Sequence, residues 1–172
     1  MRQLILYVAD HCSTARWFGA IKLNKIIWKA DFDSYADRKV PVTGLEYRRQ
    51  KSGPVLRGML PIHRDMQRDN IISIQRRDFG EGIVEYRTIA HMTPDLSMFS
   101  ENDMKYVDAS IRHYWDLTGT EASDESHGAA WKTRHDGDPM PYELALLSDA
   151  PIDIDFRLKI ENMIYDKGWV SE

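Results

Sequence analysis

The chain has 172 residues, 42% of them apolar and 29% charged, an ordinary globular composition that excludes a disordered chain and suits one domain with its own core. Its 23 Lys and Arg against 27 Asp and Glu leave a net charge of −4, which argues against wholesale binding of nucleic acid but leaves room for a local basic patch. The single cysteine, Cys12, excludes an internal disulfide and a multi-cysteine zinc site, and suits a reducing compartment.

Leu4 to Cys12 reads as a short helix, with Leu4, Tyr7 and Val8 on one face. The opening stretch lacks the length and cleavage site of a signal peptide. No run approaches the ~20 apolar residues of a membrane span, so the expected location is the cytoplasm. Cys12 has no base or oxyanion site beside it and reads as a small helix residue. Ser13-Thr14 breaks the helix and offers a cap. A stronger helix is expected from Ala15 to Ala36, carrying a stripe of Phe18, Ile21, Lys25, Trp28, Phe32 and Tyr35. Leu23, Ile26, Ile27 and Ala30 widen the stripe, as in a central helix packed on several sides.

Pro41-Val42-Thr43-Gly44 is a turn, followed by an extended piece from Leu45 to Arg49. Ser52-Gly53-Pro54 is expected to open a helix, because proline suits the first helical position. Val55, Met59, Ile62 and Met66 would form its apolar side, with Pro61 keeping it short or kinked. Ile71–Arg77 and Ile83–Ala90 flank a Gly-containing connection and read as a hairpin, in which Val84 and Tyr86 would meet Ile72 and Ile74. Ser100 with Asp103 caps a long helix that Gly119 would stop. Thr120 to His127 adds a turn or two, Trp131 to Asp138 is polar and turn-rich, and Pro141 to Leu147 is a short helix. A last helix is expected from Asp153 to Lys167.

The expected class is therefore α+β, predominantly helical. It is a single domain over 1–172 with about six or seven helices and a small antiparallel β element, its strands near 45–50, 71–77 and 83–90. No internal repeat, low-complexity segment or linker divides the chain.

The run from Lys22 to Asp31 (Lys-Leu-Asn-Lys-Ile-Ile-Trp-Lys-Ala-Asp) resembles the opening helix motif of the SocA-like, Panacea-domain antitoxin family. Pro41-Val42-Thr43-Gly44-Leu45-Glu46-Tyr47 is similar to that family's turn and strand, and Ser52-Gly53-Pro54-Val55 to its Gly-Pro-Val element. Ser126-His127 with Trp131, then Pro141-Tyr142-Glu143, resemble its His-x-x-x-Trp and Pro-Tyr-Glu pieces. The pieces occur in the family's order. Trp28 and Lys29 depart from its commonest residues, and the hairpin carries no family signature. The resemblance implies Lys25, Trp28, Tyr35, Gly44, Gly53, Pro54, Trp131, Pro141 and Tyr142 as the motif core. It also implies an antitoxin, often phage- or prophage-associated, that neutralises a toxin encoded by a neighbouring gene through direct contact. One branch of the family delivers its toxin to a AAA+ protease.

The residues themselves leave alternatives open. Asp31 beside an apolar face needs a partner, since a lone buried charge is costly. Lys51 and His127 are the candidates, as a structural polar network or as a small hydrolase site. The Asp-His pair lacks a nucleophile, a metal set or a phosphate loop, so no catalytic residue and no cofactor is assigned. His127, His135, Asp136 and Asp138 match no standard zinc spacing and read as a solvated loop, so no metal is expected. Trp131 reads as an anchor for that loop. Arg48, Arg49, Lys51, Arg57, Arg76 and Arg77 are the densest basic cluster. Arg48, Arg49, Arg76 and Arg77 would form one positive face if their strands are neighbours, either a solvated surface or a site for an acidic protein partner, which the overall acidity favours over nucleic acid. A nucleic-acid-binding regulator is kept as an alternative function, and no membrane partner is expected.

Overall fold

The computed structural model describes residues 1–147, so the helix expected at 153–167 lies outside the described residues. Helix α1 spans Arg2–His11 and α2 spans Ala20–Arg38. Strands β1 (Tyr47–Gln50) and β2 (Gly53–Leu56) lead to α3 (Met59–Arg68). The hairpin β3–β4 follows, Ile72–Asp78 and Val84–Ala90. Then come α4 (Glu101–Tyr114), α5 (Gly119–Glu125), α6 (Ala129–Lys132) and β5 (Pro139–Met140). A 3-10 turn at Tyr142–Leu146 ends the described chain. Among the described residues this is a helical α+β fold with two antiparallel sheets, one ordered β2-β1-β5 and one made of β3 and β4. No described helix is long and apolar enough to cross a membrane.

Helix α2 is central and touches α1, α4, α5, β2, β4 and the 3-10 turn. The core gathers Leu4, Ile5 and Val8 of α1, Leu23, Ile26, Ile27 and Ala30 of α2, and Val107, Ile111 and Tyr114 of α4. Cys12 is buried beside them, and burial pushes its thiol up to about 11, which keeps it protonated.

Four expectations are corrected. The central helix begins at Ala20 instead of Ala15. The backbone before it is claimed by side chains of β4: Arg87 donates to the carbonyls of Ser13 and Ala15 at 2.9 and 2.7 Å, and Glu85 accepts the Phe18 N–H at 2.6 Å. Helical bonding is therefore replaced there. Ile21, placed on the apolar stripe, is 43% exposed.

Gly53-Pro54 opens a strand and not a helix. Gly53 takes φ +90, which favours glycine, and the pairs Gln50↔Gly53 and Arg49↔Pro54 close a tight hairpin. The hydrogen-bonded positions alternate, so Pro54 turns its nitrogen away from β1 on an edge strand, where no N–H is needed. Pro61 falls in the first turn of α3, where its missing N–H interrupts nothing.

Register is the third correction. Ile72 faces Ala90 and Ile74 faces Thr88, while Tyr86 and Val84 pair with Arg76 and Asp78 near the hairpin's turn. Gly119 is the fourth. It starts α5 rather than stopping α4, because Thr118 and Glu121 form a capping box around it.

Candidate functional site

The family-like block of α2 carries three buried charged groups, each placed by helical spacing against a different neighbour. Lys22 points at the junction of α4 and α5. Its ammonium donates to the carbonyls of Trp17, Trp115 and Leu117 at 2.7, 2.7 and 2.8 Å. Three N–H groups meet three acceptors, so the charge is fully paired although the side chain is buried. Burial still lowers its pKa.

Lys25, one turn on, donates to the outward-facing carbonyl of Pro54 at 2.9 Å. Burial pulls its pKa down to about 7. Gly53 completes the packing. A Cβ there would stand 2.0 Å from Ser126 Oγ and 2.6 Å from Lys25 Nζ. Glycine is thus required both by φ and by the approach of α2 and α5 to the hairpin.

Asp31 is fully buried. Its carboxylate accepts the backbone N–H and the hydroxyl of Thr43, and the hydroxyl of Tyr47, each at 2.6 Å. The Tyr142 hydroxyl stands 3.5 Å away and gives its proton to the Leu45 carbonyl at 2.6 Å, which the shorter distance favours. Desolvation raises the Asp31 pKa, and the Thr43 and Tyr47 hydrogen bonds oppose that. Around it the Phe32 ring meets Trp28, Tyr47 and Tyr142, and Tyr142 meets Tyr35, with centroids 5.3 to 5.7 Å apart. This is an aromatic box closed over a carboxylate, holding the 41–47 turn to α2.

The structure does not bring Asp31 together with Lys51 or His127. Lys51 is exposed in the β1–β2 turn. His127 is half-buried and stacks on Trp131, with centroids 4.0 Å apart. Burial first, then the nearby Lys25 charge, lowers the His127 pKa. Trp131 donates Nε1–H to the Gln50 carbonyl at 2.8 Å and carries the Arg49 guanidinium 3.7 Å from its ring centroid. Loop 127–138 is thereby tied to β1, further secured by the Arg49–Asp136 ion pair. Gly44 takes φ +68 in the turn that Asp31 holds, and Pro141 is exposed. The partners that sequence reasoning missed for Asp31 were inside the Thr-Gly-x-x-Tyr motif itself, as neutral hydroxyl donors.

The basic residues are divided. Arg48 and Arg49 lie on β1, and Arg76 and Arg77 lie on β3 of the other sheet. Each is engaged locally: Arg48 with the Gly137 carbonyl at 2.8 Å, Arg76 with Asp78 at 2.9 Å. Arg77 lies 3.9 Å from Glu85, a carboxylate already held by Arg87 at 2.9 Å. Among the described residues no group of three or more His, Cys, Asp and Glu is gathered as metal ligands.

Another concave surface lies elsewhere. A groove of about 390 Å³ runs between the turn of the hairpin and the starts of α2 and α5, lined by Trp17, Ile21, Phe79, Ile83, Tyr86 and Gly119 among others. Ile21, Phe79, Ile83 and Tyr86 are all exposed there. Gathered around one depression, they differ from the singly scattered apolar residues of an ordinary surface.

Among known families, residues 23–132 match the model described as antitoxin SocA-like, Panacea domain. The match includes the β3–β4 hairpin and stops short of Pro141 and Tyr142. No curated protein matches, and no solved structure matches.

Proposed function

This chain belongs to the SocA-like antitoxin family with the Panacea domain, and from that premise we propose that it neutralises a cognate toxin by binding it directly. The observation that carries the reading is the family match across residues 23–132. The geometry supports it in two ways. The buried charges of α2 are consumed in holding turns, strands and helices together, so the family-like residues serve a rigid scaffold. Exposed apolar residues gather instead at the hairpin turn and the starts of α2 and α5. A specific protein complex of this kind buries on the order of 1,600 Å².

The toxin is the product of a neighbouring gene. The test is co-expression with that gene in a host sensitive to it. Growth should stop with the neighbour alone, return with both, and the two proteins should co-purify. A neighbour harmless by itself, or rescue without a complex, would remove the reading. Handing the bound toxin to a AAA+ protease is a second proposed step, read in the same strain as a toxin half-life that shortens when this chain is present.

A further inference from the structure

We propose that the open edge of β3 is where the toxin docks, and that its occupant is an extended segment of the toxin that pairs with residues 74–78 and adds a third strand to the hairpin. This rests on the toxin-binding reading above and adds a place and a binding mode to it.

The ladder fixes which backbone groups face outward. At one end of the hairpin the Phe79 N–H donates to the Ile83 carbonyl, and at the other the His91 N–H donates to the Ile71 carbonyl, both at 3.0 Å. The pairing from Ile72↔Ala90 to Asp78↔Val84 is unbroken between them. The alternation of an antiparallel ladder therefore turns the N–H and C=O of Ser73, Gln75 and Arg77 toward β4, and those of Ile72, Ile74, Arg76 and Asp78 away from it. Among the described residues these outward groups meet no hydrogen-bond partner.

The hairpin's other edge is closed. A Cβ on Gly19 would lie 3.8 Å from both the backbone nitrogen and the carbonyl oxygen of Tyr86, and α1 and α2 pack on β4. On β3, α3 packs nearby and Ile72 is buried, but Gln75, Arg76 and Asp78 are exposed and Ile74 and Arg77 half-buried.

Alternating donors and acceptors at strand spacing are satisfied by another extended backbone, which is the partner such an edge recognises. Proteins ordinarily blunt such an edge with proline, a bulge, brevity or charge. Strand β3 runs seven residues without proline, and its register has no bulge. Its charges are engaged within the hairpin: Arg76 donates to Asp78 at 2.9 Å, and Arg77 lies 3.9 Å from Glu85. The toxin segment it takes keeps an N–H at every second position, hence no proline there, and places an apolar side chain beside Ile74.

A second copy of this chain fits poorly. Twofold antiparallel pairing of β3 with itself joins outward positions to outward positions. Full overlap sets Ile74 against Arg76 and Ile72 against Asp78, and sliding the copies by two residues toward Asp78 sets Arg76 against itself.

The experiment uses the full chain co-expressed with the tagged product of the neighbouring gene. Arg76→Pro removes an outward N–H and leaves the ladder to β4 its donors, as proline does on edge strands; Arg76→Ala removes the side chain and keeps the N–H. Circular dichroism checks folding. Co-purified yield and growth rescue should fall about tenfold or more for Arg76→Pro, while Arg76→Ala stays at wild type. In the wild type, amide exchange at Ile74 and Arg76, fast in the free chain, should slow at least tenfold in the complex, a readout that stands even if the proline variant does not fold. A folded Arg76→Pro that binds and rescues like wild type, or unchanged exchange at both amides in the complex, would overturn the edge and leave toxin binding standing. Equal loss in both variants would assign the contact to the side chain and overturn strand addition. A wild type that captures nothing would overturn both readings. A chain that is dimeric alone, with these amides already protected, would assign the edge to self-association and overturn the proposal.

Discussion

Tyr47 donates its hydroxyl to the carboxylate of Asp31 at 2.6 Å, and both residues are buried. The bond joins the central strand of one sheet to the central helix and anchors the turn between them. Tyr47→Phe leaves the ring in place and removes a donor from a buried carboxylate, which costs about 1–3 kcal/mol. Asp31→Asn costs at least as much, because its amide N–H groups would face donors. Both should lower the melting temperature while the folded fraction still binds the toxin. Loss of binding with unchanged melting would instead give Asp31 a functional role.

Gly53→Ala tests the junction of the β1–β2 hairpin with α2 and α5. The new methyl would meet Ser126 Oγ at 2.0 Å in a backbone at φ +90. Positive φ alone costs a non-glycine residue about 1–3 kcal/mol, and the overlap adds to it. A clear fall in the denaturant midpoint is expected, and an unchanged midpoint would show that this junction can relax.

Lys25 makes stability depend on pH. Its pKa is about 7 in the folded chain, below its ordinary 10.5, so between those values the unfolded chain holds more protons. Stability therefore rises with pH across that window, and the cost of the buried charge is fully present below it. Lys22 is shifted in the same direction. Lys25→Met should flatten much of the rise and stabilise the chain most at low pH, read from denaturant melts between pH 6 and 10. A parallel curve for wild type and variant would refute this.

Arg87 ties β4 to the segment before α2 through Glu85 and the carbonyls of Ser13 and Ala15. Arg87→Met would leave Glu85 buried without its main cation and free the carbonyls of Ser13, Ala15 and Arg16. Breaking a buried pair on one side costs about 3–5 kcal/mol. Increased amide exchange should follow first at residues 13–19.

The helical class, the hairpin and the Ser100 cap were legible because periodicity, turn glycines and capping residues act locally. The start of α2 was not, since distant side chains on β4 displace helical bonding at 13–18. Gly53-Pro54 misled for a related reason. Proline suits a helix start and an outward-facing edge position alike, and only the pairing with β1 decides between them. Asp31 is a buried carboxylate, and burial makes partners necessary. Those partners are short-range hydroxyls of its own turn, whereas a charge-based search looked for Lys51 and His127. The groove was invisible because Ile21 and Gly119 are far from the Phe79–Tyr86 hairpin in the chain, and Ile21 looks like a core residue.

Direct contact with a toxin is the proposed action of this antitoxin-family chain. The most direct measurement is the mass of the species formed with the neighbouring gene's product, by size-exclusion chromatography with light scattering. A stable complex of the two chains, formed at the ratio at which growth is restored, is the predicted result. Restored growth with the two proteins eluting separately would contradict it.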